Sequence, residues 1–79
     1  MINSVCVAFD EVAGTYSAPM TFANDEAGKR YIQIQAKKGD PIIEDVKLYK
    51  IGEYDSETGK MSLLNEPVLL IRGDQCEKA

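Results

Sequence analysis

Seventy-nine residues, thirteen Asp and Glu against nine Lys and Arg, a net charge of -4 and no histidine describe one small acidic domain. The length allows only a thin core, of the kind often completed by a partner chain. The charge opposes bulk attraction to nucleic acid or anionic membrane, and the lack of histidine removes the usual general base near neutral pH and the commonest metal ligand.

The N-terminal stretch "MINSVCVAFDEVAG" contains acids and no basic leader, so no secretory signal is expected and the cytosol is the expected compartment. Within it, residues 3–9 alternate. Val5, Val7 and Phe9 point one way and Ser4, Cys6 and Ala8 the other, which predicts a half-buried strand. "DEVAGTYSAP" reads as a turn, with Gly14 and Pro19 as breakers.

A helix is predicted next, with Asn24 as its N-cap and Asp25 and Glu26 in the first turn, where negative charge suits the helix dipole. Lys37 and Lys38 fall in the last turn, Gly39 ends it and Pro41 follows. Ala27, Tyr31 and Ile34 form the expected buried stripe, and Arg30, Gln33 and Lys37 a polar, basic one. Gly28 weakens the helix by about 1 kcal/mol relative to alanine and suggests close packing on a sheet.

"DVKLYKIGEYD" reads as a strand with apolar weight on both faces: Val46 and Leu48 with Lys50, Tyr49 and Ile51 with Lys47. "DSETGK" is a hairpin loop with Gly59 at the positive-φ position. "MSLL" pairs back, "NEP" interrupts, and "VLLI" makes a last short strand. The expected fold is a small α+β domain over residues 1–73, in β-α-β-β order with room for one extra edge strand. Its mostly antiparallel sheet carries one helix on one face. Residues 74–79 are expected to be a disordered polar tail.

Few residues point to chemistry. No nucleophile-base pair, phosphate-binding glycine loop or metal constellation is visible, so neither catalysis nor a cofactor is expected. Cys6 reads as a small buried strand residue and Cys76 as an exposed tail thiol, and two cysteines without histidine make no zinc site. Glu53, Asp55 and Glu57 alternate around the turn but lack the glycine, spacing and flanking helices of a calcium loop. The tripeptide "RGD" at 72–74 is too short to carry weight. The longest apolar run, in "PVLLI", is far short of the roughly 20 residues a bilayer requires.

Charge is unevenly spread. Residues 29–50 carry six bases against three acids, a local +3. Lys29, Arg30, Lys37, Lys38, Lys47 and Lys50 are the candidate phosphate contacts. Tyr49, with Tyr31 and Tyr54, offers π-faces to unpaired bases. The competing explanation is structural: lysines at a helix C-terminus serve its dipole, and strand tyrosines pack cores.

"LYKIGEYDSETGKM" followed by "NEPVLLIRG" resembles the C-terminal signature of a small nonstructural protein of gokushoviruses, a branch of the single-stranded DNA microviruses. The order of "FDEVAG" and "PMTFANDEAGKR" ahead of it is similar as well, and the resemblance spans about residues 3–73. It implies a bacteriophage accessory protein in the host bacterial cytoplasm. Such a protein would bind single-stranded viral DNA or the replication complex, assist the switch to single-strand synthesis and packaging, and act by occupancy; the homodimer is expected separately, from the thin core of so short a chain. The alternative is a dimeric protein-interaction module. It would bind a viral replication or capsid protein, or a host factor, without touching DNA.

Overall fold

The computed structural model describes residues 1–76. Its elements are β1 (Ile2–Asp10), β2 (Thr15–Tyr16), β3 (Met20–Phe22), α1 (Asp25–Lys37), β4 (Val46–Asp55) and β5 (Lys60–Arg72), with short 3-10 turns at Ile43–Asp45 and Gly73–Gln75. The five strands form one antiparallel sheet in the order β2-β1-β4-β5, and β3 also pairs with β1. This is the expected α+β class, with α1 on one face.

The segment read as a plain turn holds two strands. Phe9 pairs with Tyr16 and Asp10 with Thr15, while Ser4, Val5 and Cys6 pair with Phe22, Thr21 and Met20. Both strands are too short to carry a period-2 signal; they exist because β1 offers them an open edge. Asp10 closes the first turn by accepting the backbone N–H groups of Val12 and Ala13.

α1 begins where its cap dictates. Asn24 is extended and accepts the Ala27 N–H at 2.8 Å, Asp25 and Glu26 fill the first turn, and Gly39 leaves the helix at φ 80°. The buried stripe, however, is Gly28, Ile32 and Ala36, one or two residues on from the expected Ala27, Tyr31 and Ile34. Tyr31 and Ile34 are 41% and 42% exposed. The helix has apolar residues on two adjacent stripes, and the glycine chooses between them. A Cβ at Gly28 would lie 3.2 Å from Leu48 and 3.3 Å from Phe22, so the helix approaches the sheet most closely along the line that has no side chain to block it.

The core under α1 is Cys6, Ile32, Ala36, Ile43, Val46 and Leu48, joined at its edge by Ala8, Phe22 and Ile71. Cys76 also packs there and is half-buried, so it is not the exposed thiol expected of a tail. Gly73–Gln75 is a 3-10 turn closed by the Cys76 N–H to the Gly73 carbonyl, and Gly73 itself is buried. Residues 74–76 are therefore part of the domain, and 77–79 lie outside the described residues. Both cysteines are free thiols.

β4 and β5 pair from the Asp55–Lys60 end, across a loop in which Gly59 has φ 74°. β5 is one long strand, where the sequence predicts two, but "NEP" still marks a break. The register jumps from Gly52↔Leu63 to Lys50↔Val68, leaving Leu64–Pro67 without a partner on β4. Opposite β1, Ile51 is the extra residue of a bulge.

Candidate nucleic-acid interface

Alternation along β1 and β4 assigns every side chain to a face. Cys6 and Leu48 touch α1, so Val46, Leu48 and Lys50 point to the helix, and Lys47 and Tyr49 point to the open face. The seven candidate residues therefore do not form one surface.

Arg30, Lys37 and Lys38 are exposed on α1 and at its C-terminal end. Lys29, also on α1, is paired with Glu26 at 3.2 Å. Lys50 is held in the layer between helix and sheet. Its Nζ lies 3.1 Å from Asp25 and 3.7 Å from Glu53, and its side chain is only 16% exposed. Buried Ser4 donates its hydroxyl to the same Asp25 carboxylate. Ser4, Asp25 and Lys50 thus tie the first turn of α1 to β1 and β4. That role is structural, and it makes Lys50 a poor phosphate contact.

The tie sets a pH dependence. The Ser4 hydroxyl first, then Lys50, hold the Asp25 carboxyl below its ordinary value of 3.8. Asp25, in turn, raises Lys50 above 10.5. Stability from Asp25 is fully present above its unfolded value and is lost as pH falls through the folded one. Stability from Lys50 is present below 10.5 and is lost as pH rises through its raised value. Asp25→Asn is expected to cost about 1 kcal/mol at neutral pH, since the pair is partly solvated. Urea melts of both proteins should converge toward strongly acid pH; a constant gap down to that limit would refute the tie.

The open face carries a different set. Cross-strand partners share a face, so the pairs Tyr16↔Phe9, Phe9↔Lys47 and Lys47↔Arg72 line up one row across β2, β1, β4 and β5. Two aromatic rings lie at one end and two cations at the other. Tyr49 stands in the next row, between Val7 and Leu69. The rings form a cluster: Phe9 and Tyr16 centroids are 4.7 Å apart, and Tyr16 meets Tyr49 edge-on at 6.5 Å. Tyr16 remains 59% exposed. The cations have acidic neighbours: Lys47 reaches Glu11 at 2.8 Å, and Arg72 reaches Asp74 at 3.2 Å. A phosphate on this row would have to displace or share those carboxylates.

Of the seven expected contacts, Lys47 and Tyr49 belong to this row and its neighbour. Phe9, Tyr16 and Arg72 join them. Tyr16 was hidden because its two-residue strand has no pattern of its own, and Arg72 reaches the row only through the shifted register of β5.

Among the described residues no cluster of three Cys, Asp or Glu side chains could hold a metal ion, and no helix is long and apolar enough to cross a membrane. The family described as Phage ORF5 protein matches residues 3–76. The chain belongs to that family. The match includes α1 and, apart from Ile2, all five strands, so the open face is part of the family domain. No curated protein and no solved structure matches the chain.

Proposed function

We propose that this Phage ORF5 family member is a nonstructural accessory protein of a gokushovirus-type microvirus. It acts in the host bacterial cytoplasm and binds single-stranded viral DNA during the switch to single-strand synthesis and packaging, without catalysis. The observation that carries the reading is the Tyr16–Phe9–Lys47–Arg72 row with Tyr49 beside it. Unpaired bases stack on exposed aromatic rings irrespective of sequence, and adjacent cations hold the backbone. A duplex hides its base faces and gains nothing from such a platform.

The net charge of -4 limits long-range attraction, so affinity must come from short-range stacking. Only two cations stand on the row. Two phosphate contacts on a single strand give a slope of about -1.4 in log affinity against log salt. Fluorescence anisotropy with labelled single-stranded and duplex oligonucleotides, at several salt concentrations, tests this. Preference for single strands with that shallow slope is the expected result. A slope several times steeper that collapses on charge reversal at Arg30 and Lys37 would move the site to the helix. Absence of binding at micromolar protein would favour the second reading, a protein-interaction module with no DNA contact. The exposed apolar side chains of Met61, Leu63, Val68 and Leu69 on β5 support that second reading.

A further inference from the structure

β5 is the free edge of the sheet: among the described residues it pairs with β4 on one side and with no strand on the other. Its first ten residues, 60–69, are all exposed. Long, apolar strand edges invite pairing with another chain, and proteins usually blunt them with charge. Here the strand carries only Lys60, Glu66 and Arg72 across thirteen residues. Lys60 and Glu66 have no ion-pair partner among the described residues, whereas Arg72 is engaged by Asp74.

The positions of these charges single out a partner. When a strand pairs antiparallel with a copy of itself, residue i stands opposite a residue whose number makes a fixed sum with i. Centring the pair on residue 66 would set Lys60 against Arg72 and Glu66 against its own copy, all like charges. Centring it on Leu63 sets Lys60 against Glu66 of the second copy, and the two-fold axis makes that pair twice. Leu63 is 70% exposed, as much as any large apolar residue of β5, and would meet its own copy on the axis. The register also places 64–66, most of the stretch that lacks a partner on β4, inside the segment paired along the opposite edge. Pro67, which has no N–H to offer, falls just outside the paired segment 60–66.

We propose that this protein forms a two-fold homodimer by antiparallel pairing of β5 edges, centred on Leu63, with reciprocal Lys60–Glu66 contacts. The dimer does not depend on nucleic-acid binding. It joins two open faces edge to edge, with a Tyr16 row toward each outer end.

Sedimentation equilibrium without DNA tests it. The wild-type protein should show twice the 8.7 kDa chain mass at high-micromolar concentration. Lys60→Glu and Glu66→Lys, each setting two like pairs face to face, should each weaken dimerisation about tenfold. The double swap should restore it. Leu63→Lys should give monomers with an unchanged circular dichroism spectrum, because the side chain is exposed. A monomeric wild type would overturn the proposal. So would a dimer unmoved by Leu63→Lys, or single charge reversals that the double swap fails to rescue.

Discussion

Replacing Gly73 by alanine is expected to destabilise the protein by about 3 kcal/mol or more, near the upper end for overpacking a filled site. The cause is backbone against backbone. An added Cβ would be driven into the carbonyl of Ile43 and would lie 3.0 Å from that of Val46. Neither carbonyl belongs to a flexible side chain, so the two 3-10 turns would have to separate. That would open the core around Ile43, Val46 and Cys76. Only about 5–15 kcal/mol usually separates a folded domain from its unfolded chain, and a small domain has little to lose. A urea titration should show the midpoint fall sharply. Gly14→Ala provides the contrast: its added Cβ meets nothing, and the cost is confined to the strain of φ 69°. Equal losses at the two sites would contradict the packing assignment.

Tyr16→Ala is expected to carry the second large effect, a loss of single-strand affinity of about 5- to 150-fold, the equivalent of one stacked base at about 1–3 kcal/mol. Tyr16 is more exposed than Tyr31 yet sits in the three-ring cluster of the open face. Tyr31 packs against Phe22 with centroids 5.6 Å apart, on the helix side. Tyr31→Ala should therefore leave affinity unchanged. The two variants lose the same side chain from opposite faces, so anisotropy titrations of the pair decide which face binds. Loss of affinity in Tyr31→Ala with none in Tyr16→Ala would place DNA on the helix and refute the row.

Local chemistry explains which features could be read in advance. Asn24, Gly39 and Gly59 each act within a few residues of themselves, so the cap, the helix stop and the hairpin loop were legible. β1 and β4 were legible because β-branched and aromatic residues recur along them. The helix stripe is not legible, because Tyr31 and Ile34 are larger than Gly28 and look more like core. Their position was decided by Leu48 and Phe22, which meet the helix at Gly28 from β4 and β3. β2 and β3 owe their existence to β1, which cannot be seen in two or three residues. The candidate site is the least legible part, because the order of charges along a chain does not say which face of a sheet each one occupies. Lys47 and Lys50 are three residues apart and lie on opposite sides of the sheet; Lys47 and Arg72 are far apart in sequence and stand side by side.

The position of β1 inside the sheet also bears on synthesis. β1 leaves the ribosome ahead of β4, its longest partner, which starts 36 residues after β1 ends. At about 5–20 residues per second, that is a wait of about 2–7 s. An unpaired apolar strand exposed for so long is open to capture by other nascent chains. β2 and β3 follow within twelve residues and fold back along one margin of β1. Their small size suits a temporary guard, since they shield the strand early and leave its other margin free for β4.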